Sequence, residues 1–158
     1  MRATWFAQNF SEGFLLDAVL AGEVALPAGD VGEPFVDVND IADVVVAALT
    51  EDGHVGQLYE VTGPRLLTLT QAVEEIARAA SREIRYVPIS INQFTTLLAK
   101  QDLPPDFVWL LTYLLDEVLD GRNAHLTDGV QRALGREPGD FSDYARDAAA
   151  SGVWAGVS

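Results

Sequence analysis

Few stretches of this sequence can be β-strands. Residues 57–61, with Gly53 and Gly56 before them and Gly63-Pro64 after them, have the length and punctuation of a buried strand. Residues 84–87 read as a second, closed by Pro88, which has no N–H to give to a ladder. A third extended run, 35–38, follows a turn-rich stretch holding Pro27, Gly29, Gly32 and Pro34. Two or three short strands cannot make a sheet that buries both faces. Whatever this chain folds into, its sheet is incomplete and helices carry most of its apolar surface.

The helical signals are strong. Residues 5–20 read as a helix with Phe6, Phe10, Leu15, Leu16, Val19 and Leu20 as apolar positions and Gly22 as its stop. Ile41, Val44, Val45, Ala48 and Leu49 recur at i, i+3, i+4, i+7 and i+8 behind Asp37, Asn39 and Asp40, which suit a helix start. Thr68 with Gln71 and Ser90 with Gln93 form two capping-box pairs, each opening an amphipathic helix. Pro104 and Pro105 suit the first turn of a long helix through Phe107, Leu110, Leu111, Leu114 and Val118, ended by Gly121. Shorter helices are expected over 127–134 and 142–150. With no repeat, low-complexity tract or Ser/Gly linker, one domain over 1–158 is expected, of α/β class and mostly helical.

Composition removes whole classes of function. Ten Lys and Arg stand against 24 Asp and Glu, a formal charge of −14, whereas phosphate backbones and anionic lipid need clustered cations. Neither nucleic acid nor a membrane is expected as a partner. Cysteine is absent, which excludes disulfides, thiolate metal sites and a cysteine nucleophile. The apolar stretches are short and interrupted, and the opening residues lack the unbroken apolar run of a secretory signal, so a cytoplasmic protein is expected.

The motif inventory is mostly negative. There is no G-x-G-x-x-G, and Gly53-x-x-Gly56 puts Tyr59 where a third glycine belongs and leads into a strand instead of leaving one. No P-loop and no G-x-S-x-G elbow occur. None of the four tyrosines has Lys four residues on, so no Tyr-x-x-x-Lys acid/base pair can form. His54 and His125 lie far apart and in no metal-binding pattern, and no metal is expected. His54 fits a solvated loop. His125 beside Asn123 fits either the surface or a pocket wall.

Two groups keep a structural and a functional reading open. Asp37 and Asp40 can accept from the free N–H groups of a helix start, or Asp37 can stay in the loop and shape a cleft. In Thr4-Trp5-Phe6-Ala7-Gln8-Asn9-Phe10, the amides of Gln8 and Asn9 interrupt an apolar stretch and need partners, which backbone groups or a ligand carboxamide can supply. The run Asp116, Glu117, Asp120 reads as a solvated helix face.

Three segments together resemble a known family. They are Arg2-Ala3-Thr4-Trp5-Phe6-Ala7-Gln8-Asn9-Phe10, then Pro34-Phe35-Val36-Asp37-Val38-Asn39-Asp40-Ile41-Ala42-Asp43-Val44, then Gly56-Gln57-Leu58-Tyr59-Glu60-Val61-Thr62-Gly63-Pro64. In this order, and continuing to Leu134-Gly135-Arg136-Glu137-Pro138, they resemble the C-terminal half of NmrA-like proteins, atypical relatives of the short-chain dehydrogenases/reductases that bind NAD(P). The resemblance implies the C-terminal part of a Rossmann-like NAD(P)-binding fold, with the N-terminal dinucleotide-binding half absent. It implies a pocket for a small-molecule substrate built from Trp5, Gln8, Asn9, Phe10, Phe35 and Asp37, with Tyr113 added by a later helix. NAD(P) is then the cofactor of the full-length fold, and this chain alone is expected to hold none and to transfer no hydride. No catalytic residue is assigned. A complementing N-terminal half or a homo-oligomer is the expected macromolecular partner. The alternative is a non-catalytic regulatory or ligand-binding module that self-associates.

Overall fold

The computed structural model describes residues 1–101 and 103–156. Four short strands form two separate parallel pairs. Strand β1 (Arg2–Ala3) lies beside β3 (Glu60–Val61), with Arg2 opposite Glu60, and β2 (Glu23–Leu26) lies beside β4 (Arg85–Pro88), with Glu23 opposite Arg85. Around them run α1 (Leu16–Ala21), α2 (Val38–Thr50), α3 (Leu69–Ala80), α4 (Ile91–Leu98), α5 (Pro105–Tyr113), α6 (Gly129–Leu134) and α7 (Phe141–Ala150). The expected α/β class, mostly helical with short strands, is what the chain adopts.

Most helix starts follow from their caps. The side chains of Thr68 and Ser90 accept from the N–H groups of Gln71 and Gln93, and each Gln side chain returns a bond to the cap backbone, as the paired signals predict. Asp37 caps α2, accepting from the Asn39 N–H at 2.8 Å. Asp140 caps α7 in the same way.

The helix expected over 5–20 does not form as one piece. Residues 5–7 are taken by backbone pairing with Val36: the Val36 N–H donates to the Trp5 carbonyl at 3.0 Å, and the Ala7 N–H donates to the Val36 carbonyl at 2.9 Å. The chain then makes a single 3-10 turn, Ala7–Phe10, and only α1 is α-helical, closed by Gly22 in the left-handed region at φ 82°. The long helix expected after Pro105 also changes character, since α5 gives way to one π-helical turn, Leu114–Val118.

Two cores result. In the larger, the rings of Phe10, Phe35 and Phe141 meet at 5.5–5.8 Å. The buried Trp154 indole donates to the Phe10 carbonyl at 2.8 Å. Around these rings pack Val19, Val24, Val73 and Ile76. The smaller core joins Val36, Val44, Tyr59, Val61 and Val130 between α2, α6 and β3. Gly129 opens α6 directly against the Glu60 carbonyl, where a Cβ would collide with the backbone.

Ion pairs tie the last helices to the rest. Arg65 binds Asp140 through two bonds, at 2.7 and 2.8 Å, and Glu75 at 2.8 Å, which holds the Asp140 carboxyl well below the usual carboxylate range. Arg136 binds the buried Asp40 and the exposed Asp43, both at 2.6 Å. Among the described residues no helix is long and apolar enough to cross a membrane.

Candidate functional site

A cleft of about 780 Å³ opens where β1, β3 and α5 come together. The extended start of the chain supplies Trp5 and Phe6, and Phe14 adds a ring whose centre lies 6.4 Å from that of Trp5. From α5 and the π turn come Phe107, Leu110, Leu111, Leu114 and Val118. The π turn sets that face: Leu115 and Leu119 are buried in the core while Leu114 and Val118 stay on the cleft. A plain amphipathic reading finds these apolar positions but not which of them stand clear of the core.

The polar part of the lining comes from two places. Asn9 sits at the end of the 3-10 turn, with Gly13 so close that a Cβ there would come within 2.9 Å of the Asn9 Cα. Asn123, His125 and Thr127 come from the loop between the π turn and α6. That loop is pinned at Thr127, whose hydroxyl donates to the Glu60 carbonyl at 2.5 Å and whose N–H donates to the Thr62 hydroxyl at 3.1 Å. One lining side chain is cationic, Arg2, and it pairs with Glu60 at 3.2 Å.

The seven residues named from the resemblance fall into four places. Trp5 and Asn9 line the cleft. Phe10 and Phe35 lie inside the aromatic core, and neither reaches the cleft lining. Gln8 and Asp37 are engaged with each other: the Gln8 amide donates to Asp37 at 2.8 Å and accepts from the Val38 N–H at 3.0 Å, fixing the start of α2. Tyr113 is exposed and stacks on Trp109, with ring centres 5.5 Å apart and planes 10° from parallel. His125 is exposed and also belongs to the cleft lining, so both of its readings hold, whereas His54 meets the Tyr59 hydroxyl at 2.8 Å through Nδ1.

The pyrophosphate of a dinucleotide is held by free N–H groups at a helix N-terminus. Here the starts of α2, α3, α4 and α7 are taken by Asp37, Thr68, Ser90 and Asp140, and α5 opens on two prolines, which have no N–H. The six-residue helices α1 and α6 carry Asp17 and Asp128 at their starts, the wrong sign for an anion. Gly53 and Gly56 take positive φ in an open turn that leads to β3, with Tyr59 buried behind it. Among the described residues no cluster of three or more His, Asp or Glu is placed to hold a metal ion.

No protein-family model matches the chain. Individual proteins do. The chain is 30% identical over 155 residues to the uncharacterized oxidoreductase YesF of Bacillus subtilis (strain 168), covering 98% of this chain and 54% of that protein. It is 32% identical over 130 residues to the NAD(P)H azoreductase of Xenophilus azovorans, covering 82% of this chain and 46% of that one. Its fold superposes on the triphenylmethane reductase of Citrobacter sp., solved in complex with NADP(H), with a TM-score of 0.79 at 18% identity, covering 93% of this chain and 51% of that one. The chain spans about half the length of the curated relatives it matches.

Proposed function

We propose, from the premise that this chain is related to the C-terminal half of NAD(P)-dependent oxidoreductases with the NmrA-like, atypical short-chain dehydrogenase/reductase fold, that it forms the substrate-side half of such a reductase. The observation that carries this reading is the apolar, aromatic cleft beside β1, with unengaged amide and imidazole groups in its lining. Concave, mostly apolar sites with a few convergent polar groups are where small molecules bind. Trp5 and Asn9 are its contact residues, while Gln8, Phe10, Phe35 and Asp37 support the segment that presents them. The relatives named for azo and triphenylmethane substrates point to a conjugated aromatic acceptor.

The dinucleotide is gripped by residues outside this chain. A complementing half docks along β1, which pairs on one edge only among the described residues, and against α2, whose Val45, Val46 and Leu49 are exposed. Without that half, the same faces favour contact with a second copy.

Hydride transfer needs donor and acceptor held together in near-attack geometry. The test is therefore reconstitution. This chain, mixed with the part of YesF that it does not match, is expected to oxidise NADPH in the presence of an azo dye, while neither piece does so alone. Turnover by this chain alone would overturn the proposal.

A further inference from the structure

The polar side chains in and beside the cleft divide by what they already do. Among the described residues, Gln8 is used twice by the fold, and Thr62 and Thr127 are used by each other and by the Glu60 carbonyl. Asn9, Asn123 and His125 make no side-chain hydrogen bond to any described residue, and all three line the cleft. Asn123 and His125 are joined through the backbone, where the His125 N–H donates to the Asn123 carbonyl at 2.8 Å, and Thr127, two residues past His125, anchors the loop to β3. An anchored loop that carries two unengaged donor/acceptor side chains beside an apolar surface is suited to orienting a ligand, because little backbone freedom is lost when it binds.

The charge of the lining restricts what it can orient. Among the described residues of the lining Arg2 is the one cation, its charge is answered by Glu60, and the chain as a whole carries −14. An anionic ligand would meet no free cation in this lining and a repulsive field around it. An uncharged one would leave Asn9, Asn123 and His125 to bond to its heteroatoms while its ring lies against Trp5, Phe107 and Leu110.

We infer that Asn123 and His125, together with Asn9, form the recognition end of the cleft, and that the cleft takes a flat, mainly apolar molecule that carries no negative charge and has a hydrogen-bonding group on one edge. The inference rests on the reading of the cleft as a substrate site and adds to it which residues orient the ligand and which charge class is refused.

Three probes separate the parts: naphthalene, 1,4-naphthoquinone and 1,4-naphthoquinone-2-sulfonate, measured by equilibrium dialysis against the 158-residue chain. The absence of cysteine removes thiol addition to the quinones as a complication. Naphthoquinone is expected to bind about tenfold tighter than naphthalene, and the sulfonate at least about tenfold weaker than naphthoquinone. The double variant Asn123→Ala/His125→Ala is expected to lose the naphthoquinone advantage and to bind naphthalene as the native chain does. Unchanged naphthoquinone binding in that variant would overturn the recognition role. A sulfonate bound as tightly as its neutral parent would overturn the charge class. If neither naphthalene nor naphthoquinone bound, the substrate-cleft reading would fall and this inference with it.

Discussion

Glu33 is the residue most at odds with its surroundings. It is 1% exposed, its backbone pairs with Leu67 on both sides, and neither carboxylate oxygen has a partner among the described residues. Burial first, and the charge of Asp120 second, push it up from 4.5 to about 7. Arg122 keeps Asp120 ionised, binding it at 2.7–3.0 Å, so the repulsion persists across the neutral range. The folded chain therefore holds the Glu33 proton more tightly than the unfolded chain does. Stability linked to this group is fully present below about pH 4.5 and is lost as pH rises through 7, by on the order of 3 kcal/mol. Urea unfolding at pH 5 and pH 8 should show the native chain weaker at the higher pH, and Glu33→Gln should remove most of that difference. A variant as pH-sensitive as the native chain would show that another group sets the dependence.

At the scale of elements, α2 shows how the fold uses residues that also suit a site. Gln8 and Asp37 bond to each other and between them occupy the N–H groups of Val38 and Asn39. Each substitution, Gln8→Ala or Asp37→Ala, is expected to lower stability by ~1–2 kcal/mol, and the double variant to cost less than the sum of the two, because one network is lost once. Strict additivity in urea midpoints would contradict the shared network. The same helix shows what the sequence makes legible. Its cap and both capping boxes are written within a few residues, so local pattern finds them, but of the stripe read from its sequence only Val44 is buried, while Val45, Ala48 and Leu49 are exposed. Strands β1 and β2 escape notice because their partners lie 58 and 62 residues away in the chain, and a run of two to four residues has no period of its own. The helix expected from Trp5 fails for the same reason, since pairing with Val36 outweighs the local apolar spacing. In the cleft, Trp5 and Asn9 sit in a quotable segment. Asn123 and His125 lie in a loop without periodicity, and only the fold brings them to the same surface.

On the whole-molecule scale, the chain joins a well-packed body to faces that stay open. The aromatic core, the Arg65 bridge and the Arg136 bridge close one part of it, while β1, the outer stripe of α2 and the cleft remain uncovered. On the proposed function, this body presents a substrate and leaves the coenzyme to another half. Titration of the 158-residue chain with NADPH by isothermal calorimetry tests it most directly. No saturable heat is expected at micromolar to low-millimolar NADPH, and saturable one-to-one binding is expected once the unmatched part of YesF is supplied. One-to-one binding of NADPH by this chain alone at micromolar concentration would contradict it.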